Sequence, residues 1–144
     1  MSGLLPETGA PLPEMHFGPI DMARTQRYAA AALDPNPLHS DAGAARAAGL
    51  DAPVVHGMLL MGQFERVVTA WRADMRITRL AATFLRPIPV GSRIALGGRV
   101  AKIAGDQYGA DVILRLFVRT ERDEIACIGE ACGRIELPSP RRGP

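Results

Sequence analysis

Between residues 34 and 57 the chain gathers the groups best suited to chemistry: Asp34, Asn36 and His39 on a loop, then His56-Gly57 at the start of an apolar run. Asp34 and His39 make a carboxylate–imidazole pair that can poise one water. The carboxylate accepts its proton while the imidazole donates or accepts another near neutral pH. The same residues equally suit a structural use, an Asx-turn aspartate and a histidine hydrogen-bonded to backbone. The D-x-N-P-x-H spacing alone does not choose between the two. His56-Gly57 adds an electrostatic element, because N–H groups in the first turn of a helix lack internal partners and point along the positive end of its dipole. A glycine there lets a ligand come close to its N–H, which suits an oxyanion. It equally suits close packing. The His56 side chain itself reads as structural, bound to backbone.

These groups must be positioned by the elements around them. Pro35 disfavours the α conformation at Asp34, and Pro37 does the same at Asn36. A helix capped by Asp21 therefore ends near residue 32, and a stiff extended loop follows that holds its side chains with little entropy left to lose. Ser40 or Asp41 caps a short helix through residue 48, which Gly49 stops. From residue 56 to about 73 the chain is apolar almost all round. Leu60, Phe64, Val67, Val68 and Trp71 recur there at helical spacing, the pattern of a helix enclosed by protein.

The C-terminal half changes period. Residues 76–87, 93–104, 108–121 and 124–137 read as strands, with turns between antiparallel neighbours. Alternation is clearest in Ile94, Leu96, Gly98 and Val100, and again in Val112, Leu114, Leu116 and Val118. Residues 15–20 offer one more short strand. Residues 1–14, with Pro6, Pro11 and Pro13, read as an extended arm, and 138–144 as a frayed tail. The economical arrangement is a single α+β domain over residues 15–137, an antiparallel sheet wrapped around the central apolar helix.

The totals agree and exclude several classes. The 144 residues suffice for one domain and are short for two. A formal charge of +2 is too small to argue for nucleic acid or a membrane surface. The longest mostly apolar run, 54–73, is interrupted by Gln63, Glu65, Arg66 and Arg72, so a membrane span there would bury charge at high cost. Cys127 and Cys132 lie on opposite faces of one strand, unsuited to bridging each other or sharing a metal. With no secretory signal at the N-terminus, the expectation is a reducing cytoplasm. The three histidines form no Cys/His cluster with ligand spacing, so no metal is expected. No glycine-rich loop lies between a strand and a helix, so no nucleotide cofactor is expected either.

The combined pattern is more specific than its parts. Y-A-x4-D-x-N-P-x-H-x-D runs from Tyr28 to Asp41, A-x3-G from Ala45 to Gly49, and P-x2-HGM-x3-G from Pro53 to Gly62. With the later Phe84-Leu-Arg86-Pro87-Ile-Pro-Val-Gly91, this resembles the MaoC-like hydratases and dehydratases of the hot-dog fold, over most of residues 15–136. The resemblance implies cofactor-free, (R)-specific hydration of a trans-2-enoyl thioester, or the reverse dehydration of a 3-hydroxyacyl thioester, on coenzyme A or an acyl carrier. It implies that Asp34 and His39 hold the catalytic water, that Asn36 holds the loop or the aspartate, and that the Gly57 N–H polarises the thioester carbonyl. Met58, Leu59 and Phe84 are then candidates for the acyl-binding wall, and the arginines of the strand-rich half are available as cations for phosphates, none of them singled out. A homodimer joined through its sheets is implied. A heteromeric dehydratase subunit and a non-catalytic acyl-thioester-binding subunit are the alternatives. One departure stands out. The family usually carries Ser-Gly before the aspartate, whereas this chain has Ala32-Leu33, which removes backbone freedom and is expected to add bulk beside the site.

Overall fold

The computed structural model describes residues 5–138, and the expected frayed tail lies, apart from its first residue, outside them. One five-stranded antiparallel sheet, in the order β1-β3-β4-β5-β2, carries the fold. Its strands are β1 Met15–Phe17, β2 Met75–Phe84, β3 Ile94–Asp106, β4 Gly109–Thr120 and β5 Ile125–Glu136. Three helices precede the long strands: α1 Met22–Ala32, α2 Ala42–Ala47 and α3 Gly57–Trp71. Asp21 caps α1 by accepting from the Arg24 N–H at 2.8 Å, and Asp41 caps α2 through the Ala44 N–H at 2.8 Å.

Period-two alternation decides which face of the sheet meets α3. Ile94, Leu96 and Val100 of β3 are buried with Val112, Leu114, Leu116 and Val118 of β4 and with Ala131 and Ile135 of β5. Leu60, Phe64, Val67 and Val68 of α3 complete this core. The opposite face carries Arg115 and Arg79 beside Glu130, and Arg134 beside Asp106 and Asp111. Such exposed pairs contribute solubility more than stability.

Helix α3 is less enclosed than its composition predicts. It buries one stripe, while Glu65, Arg66, Thr69 and Ala70 remain exposed. The reason is angular: the buried positions recur every three or four residues, and the polar ones fall between them on the outer side.

Contact between helix and sheet depends on a missing side chain. A Cβ on Gly129 of β5 would lie 2.5 Å from the ring of Phe64, which is itself fully buried. Gly129→Ala is therefore expected to destabilise the fold by about 1–3 kcal/mol. Urea denaturation should show a lower midpoint at unchanged slope; an unchanged midpoint would mean that the ring has room to move.

Residues 9–12 run along the free side of β3. The Gly9 N–H donates to Val100 O at 2.8 Å, the Val100 N–H to Ala10 O at 2.9 Å, and the Leu12 N–H to Gly98 O at 2.9 Å. Leu12 joins the core. Strand β1 continues this cover along β3, so among the described residues the opposite end of the sheet, β2, keeps an unpaired edge.

Candidate active site

Asp34 is delivered by the end of α1. Leu33 takes a left-handed conformation (φ 53, ψ 40) and the Asp34 N–H turns back to Ala29 O at 2.9 Å. A leucine bears this where glycine would be unstrained, and its side chain is 86% exposed. The bulk expected beside the site is thus absent: the chain keeps a glycine-like turn and sends the side chain to solvent. Leu33→Gly is expected to raise stability by up to about 1 kcal/mol, visible as a higher urea midpoint. Loss of stability would show that Leu33 contacts matter more than its backbone strain.

The stretch after Asp34 is tighter than the extended loop predicted. Pro37–His39 forms one 3-10 turn, with Pro37 at its start and the Asn36 Oδ1 accepting from the Leu38 N–H at 3.1 Å. Asparagine followed by proline suits the start of such a turn, and that signal was present in the sequence. The turn folds His39 back toward Asp34. Backbone bonds then anchor the neighbouring segment, with Val54 N–H to Leu38 O and Val55 N–H to Ile88 O.

The Asp34–His39 pair uses one atom of each side chain for the scaffold and leaves the other over. Asp34 Oδ1 accepts from the Asn36 N–H at 3.3 Å, the Asx turn. His39 Nδ1 donates to Val54 O at 2.7 Å, the backbone bond. A carbonyl only accepts, so Nδ1 carries the proton, and in the neutral ring Nε2 is left as an acceptor. That leaves Asp34 Oδ2 and His39 Nε2 free of the scaffold, 3.8 Å apart. The gap is too long for a direct hydrogen bond and fits one bridging water. Asp34 is half-exposed and His39 mostly buried, so a reactant can reach the pair from one side.

His56 is placed otherwise than expected. Its side chain is not bound to backbone; neither ring nitrogen makes a hydrogen bond, and the residue is 2% exposed. The ring stacks on His39 with centroids 3.7 Å apart and planes at 23°, and Tyr28 of α1 lies against it at 4.8 Å. His56 Nε2 also lies 3.8 Å from Asp34 Oδ2. Burial pushes its imidazole below the ordinary value, with His39 acting the same way and the charge and backbone of Asp34 opposing. The balance favours the neutral ring.

Asp34, His39 and His56 bring three ligand atoms within 4.8 Å of one another, the one such group of His, Cys, Asp and Glu among the described residues that could hold a metal. Stacking works against that use. Ring lone pairs lie in the ring planes, so an ion between the two histidines would sit roughly half the stacking distance out of each plane.

The Gly57 N–H opens α3 without a side-chain cap. A cleft of about 360 Å³ runs past it, lined by His39, Val54, Val55, Gly57, Leu60, Phe84, Leu85, Arg86, Pro87 and Ile88. Phe84 is thus on the cleft, and its ring tip closes on Gly57: a Cβ there would lie 2.9 Å from Cζ. Met58 and Leu59 lie off it, Met58 exposed and Leu59 against the core. Successive residues of a helix are rotated by about 100°, so Leu60, not its neighbours, faces the wall. Segment 85–88, which contains Pro87, supplies another part of the wall. It is tied down where the Leu85 and Arg86 N–H groups both reach Ala126 O.

Comparison with known proteins bears on the chain as a whole. The family model described as "MaoC like domain" matches residues 8–111. The (R)-specific enoyl-CoA hydratase of Aeromonas caviae is 30% identical over 124 residues, covering 85% of this chain and 87% of that protein. The fatty acid synthase subunit beta of Gibberella zeae is 31% identical over 86 residues, 58% of this chain, which spans only 4% of that protein's length. The solved structure of the (R)-hydratase from A. caviae involved in PHA biosynthesis superposes with a TM-score of 0.81 at 24% identity, covering 94% of this chain and 99% of that one.

Proposed function

This chain belongs to the MaoC-like domain family, and from that premise and the site geometry we propose that it reversibly adds water to a trans-2-enoyl thioester, giving an (R)-3-hydroxyacyl thioester. The observation that carries the reading is the pair of unused atoms. Asp34 Oδ2 and His39 Nε2 lie 3.8 Å apart while their partner atoms are committed to the backbone.

Both free atoms are acceptors, so a water between them donates both its hydrogens and keeps its lone pairs for attack. As that oxygen bonds to C3, one water proton passes to the pair and the C2=C3 electrons shift toward C2 and the thioester oxygen. The developing oxyanion is met by the Gly57 N–H and the positive end of α3. Return of the proton to C2 completes the addition and restores the pair. No cofactor enters this sequence. Asn36 takes part indirectly, since its backbone and side chain hold the loop.

The substrate is an acyl-coenzyme A thioester or its carrier-linked counterpart. Phe84 and Leu60 wall the cleft, and Arg86 stands on it as a cation for the carrier's phosphates. The unpaired β2 edge suits a second copy, and a homodimer is the assembly we infer. A dehydratase subunit joined to a different chain along the same edge is the alternative. Cys127 and Cys132 are free thiols, and burial pushes the Cys127 thiol up to about 11; a cytoplasmic setting is the one we infer. No helix among the described residues is long and apolar enough to cross a membrane.

The test is loss of enoyl absorbance when the purified chain meets trans-2-enoyl-CoAs from short to long and branched. Turnover with at least one of them is expected. Folded protein inactive on all of them would sink the reading of a self-sufficient hydratase.

A further inference from the structure

We propose that His56 is a positioning residue for Asp34, donating its Nε2–H to Asp34 Oδ2 so that this oxygen meets the catalytic water in one fixed direction. The inference rests on the hydratase reading above and deepens it by adding a residue to which the water-holding pair assigns no work.

Three independent features lead to it. First, a buried imidazole with two unpartnered nitrogens is costly, whereas an apolar ring of that size would be nearly free. Packing between Tyr28 and His39 does not by itself call for a histidine. Second, Asp34 Oδ2 lies at the same 3.8 Å from His56 Nε2 as from His39 Nε2. Only one of those rings is already tied to the backbone. Third, His56 is the residue immediately before α3, with extended backbone angles (φ −59, ψ 128) and a carbonyl that accepts from the Leu59 and Leu60 N–H groups. Its ring and the Gly57 N–H are therefore carried on one rigid helix start.

The neighbouring groups fix which way the proton goes. Tyr28 faces His56 from α1, Asp34 from the loop after it, and His39 from the 3-10 turn, while Arg86 stands across the cleft and is paired with Glu124 at 3.9 Å. Of these side chains, only the Asp34 carboxylate is a pure acceptor; the Asp34 backbone also bears on the ring, but neither ring nitrogen has a hydrogen-bond partner there. A neutral His56 has one N–H to give, and a carboxylate oxygen can accept both that N–H and a water hydrogen. Catalytic hydrogen bonds that are long without a reactant commonly tighten when one binds.

The experiment compares His56→Phe with His56→Gln and reads the tautomer of the wild-type ring. Phenylalanine keeps the stacking and removes the donor. We expect kcat to fall about 10- to 100-fold with KM little changed, stability to be equal or higher, and the acidic limb of the kcat/KM profile to move to higher pH. The sign follows because a donor to a carboxylate favours its charged form, so removing the donor favours the protonated one. Glutamine, which retains an N–H, should recover part of the activity and return the limb toward its wild-type position.

NMR of the protein labelled with ¹⁵N at its histidines should show His56 neutral and protonated on Nε2 at pH 7, whether or not either variant folds. A phenylalanine variant with wild-type rate and pH profile would overturn the proposal, as would a glutamine variant worse than phenylalanine. An Nδ1–H ring would do the same. Wild-type protein without hydration activity would instead count against the underlying function, and the ring tautomer would then be the remaining test of the Asp34 contact.

Discussion

Replacing Asp34 with Asn, or His39 with Asn, is expected to lower kcat/KM for enoyl-CoA hydration by about 10²-fold or more in each case while leaving the fold intact. The choice of asparagine follows from how each side chain divides its atoms. In Asp34→Asn the Oδ1 that accepts from the Asn36 N–H can be kept, while the charge on the other side is lost. In His39→Asn the side-chain amide can replace Nδ1–H in donating to Val54 O, while nothing reaches the place of Nε2. Each variant then deletes chemistry and spares scaffold. His39→Ala removes both bonds and should add a stability loss of about 1 kcal/mol on top of the same rate loss. The double variant carries the sharper result. If the two groups hold one water, losing both should cost little more than losing either; multiplied losses would mean that they act on separate steps. Variants as active as the wild type would exclude the bridging-water mechanism.

The separation of roles by atom explains what could and could not be read from the sequence. Types and spacing were enough to single out Asp34, Asn36 and His39, and also to show that an Asx turn and a water-holding pair were both open. Only the folded structure shows that Oδ1 and Nδ1 serve the first use and that Oδ2 and Nε2 are left over for the second. The long strands and α3 were legible because their period persists over many residues: β3, β4 and β5 lie within two residues of their predicted bounds. Two things were less legible. The 3-10 turn at Pro37–His39 is too short to have a period, and a doubly proline-flanked asparagine was read as extended. The His56 ring was assigned to backbone because local sequence does not reveal that Tyr28 and His39, from two other elements, close on it. Leu33 failed in the opposite direction. Propensity argued against a leucine where a left-handed residue is usual, yet the rest of α1 and the Asp34 hydrogen bond impose that conformation at a cost the fold can bear.

The Gly57 N–H can be tested apart from the space that Gly57 leaves. Gly57→Ala keeps the N–H but places a Cβ within 2.9–3.1 Å of the Phe84 ring tip, so it disturbs the cleft wall and the donor together. Removing the ring clears that overlap, and Gly57→Ala and Gly57→Pro can then be compared in a Phe84→Ala background. Proline is well tolerated in the first position of a helix, where its missing N–H has no helical partner. The His56 angles (φ −59, ψ 128) already match what a residue before proline prefers. The two double variants therefore fill similar space on the same backbone and differ in one hydrogen-bond donor. If the Gly57 N–H meets the oxyanion, the proline form should have a kcat lower by about 10²–10³-fold than the alanine form, with comparable thermal stability and a smaller effect on KM. The kcat-specific loss matters because the thioester oxygen gains its charge only as the water attacks, so a donor aimed at it acts on the transition state more than on the bound substrate. Equal kcat values in the two forms would assign the first turn of α3 a packing role, leaving Asp34 and His39 to act without an oxyanion donor at Gly57.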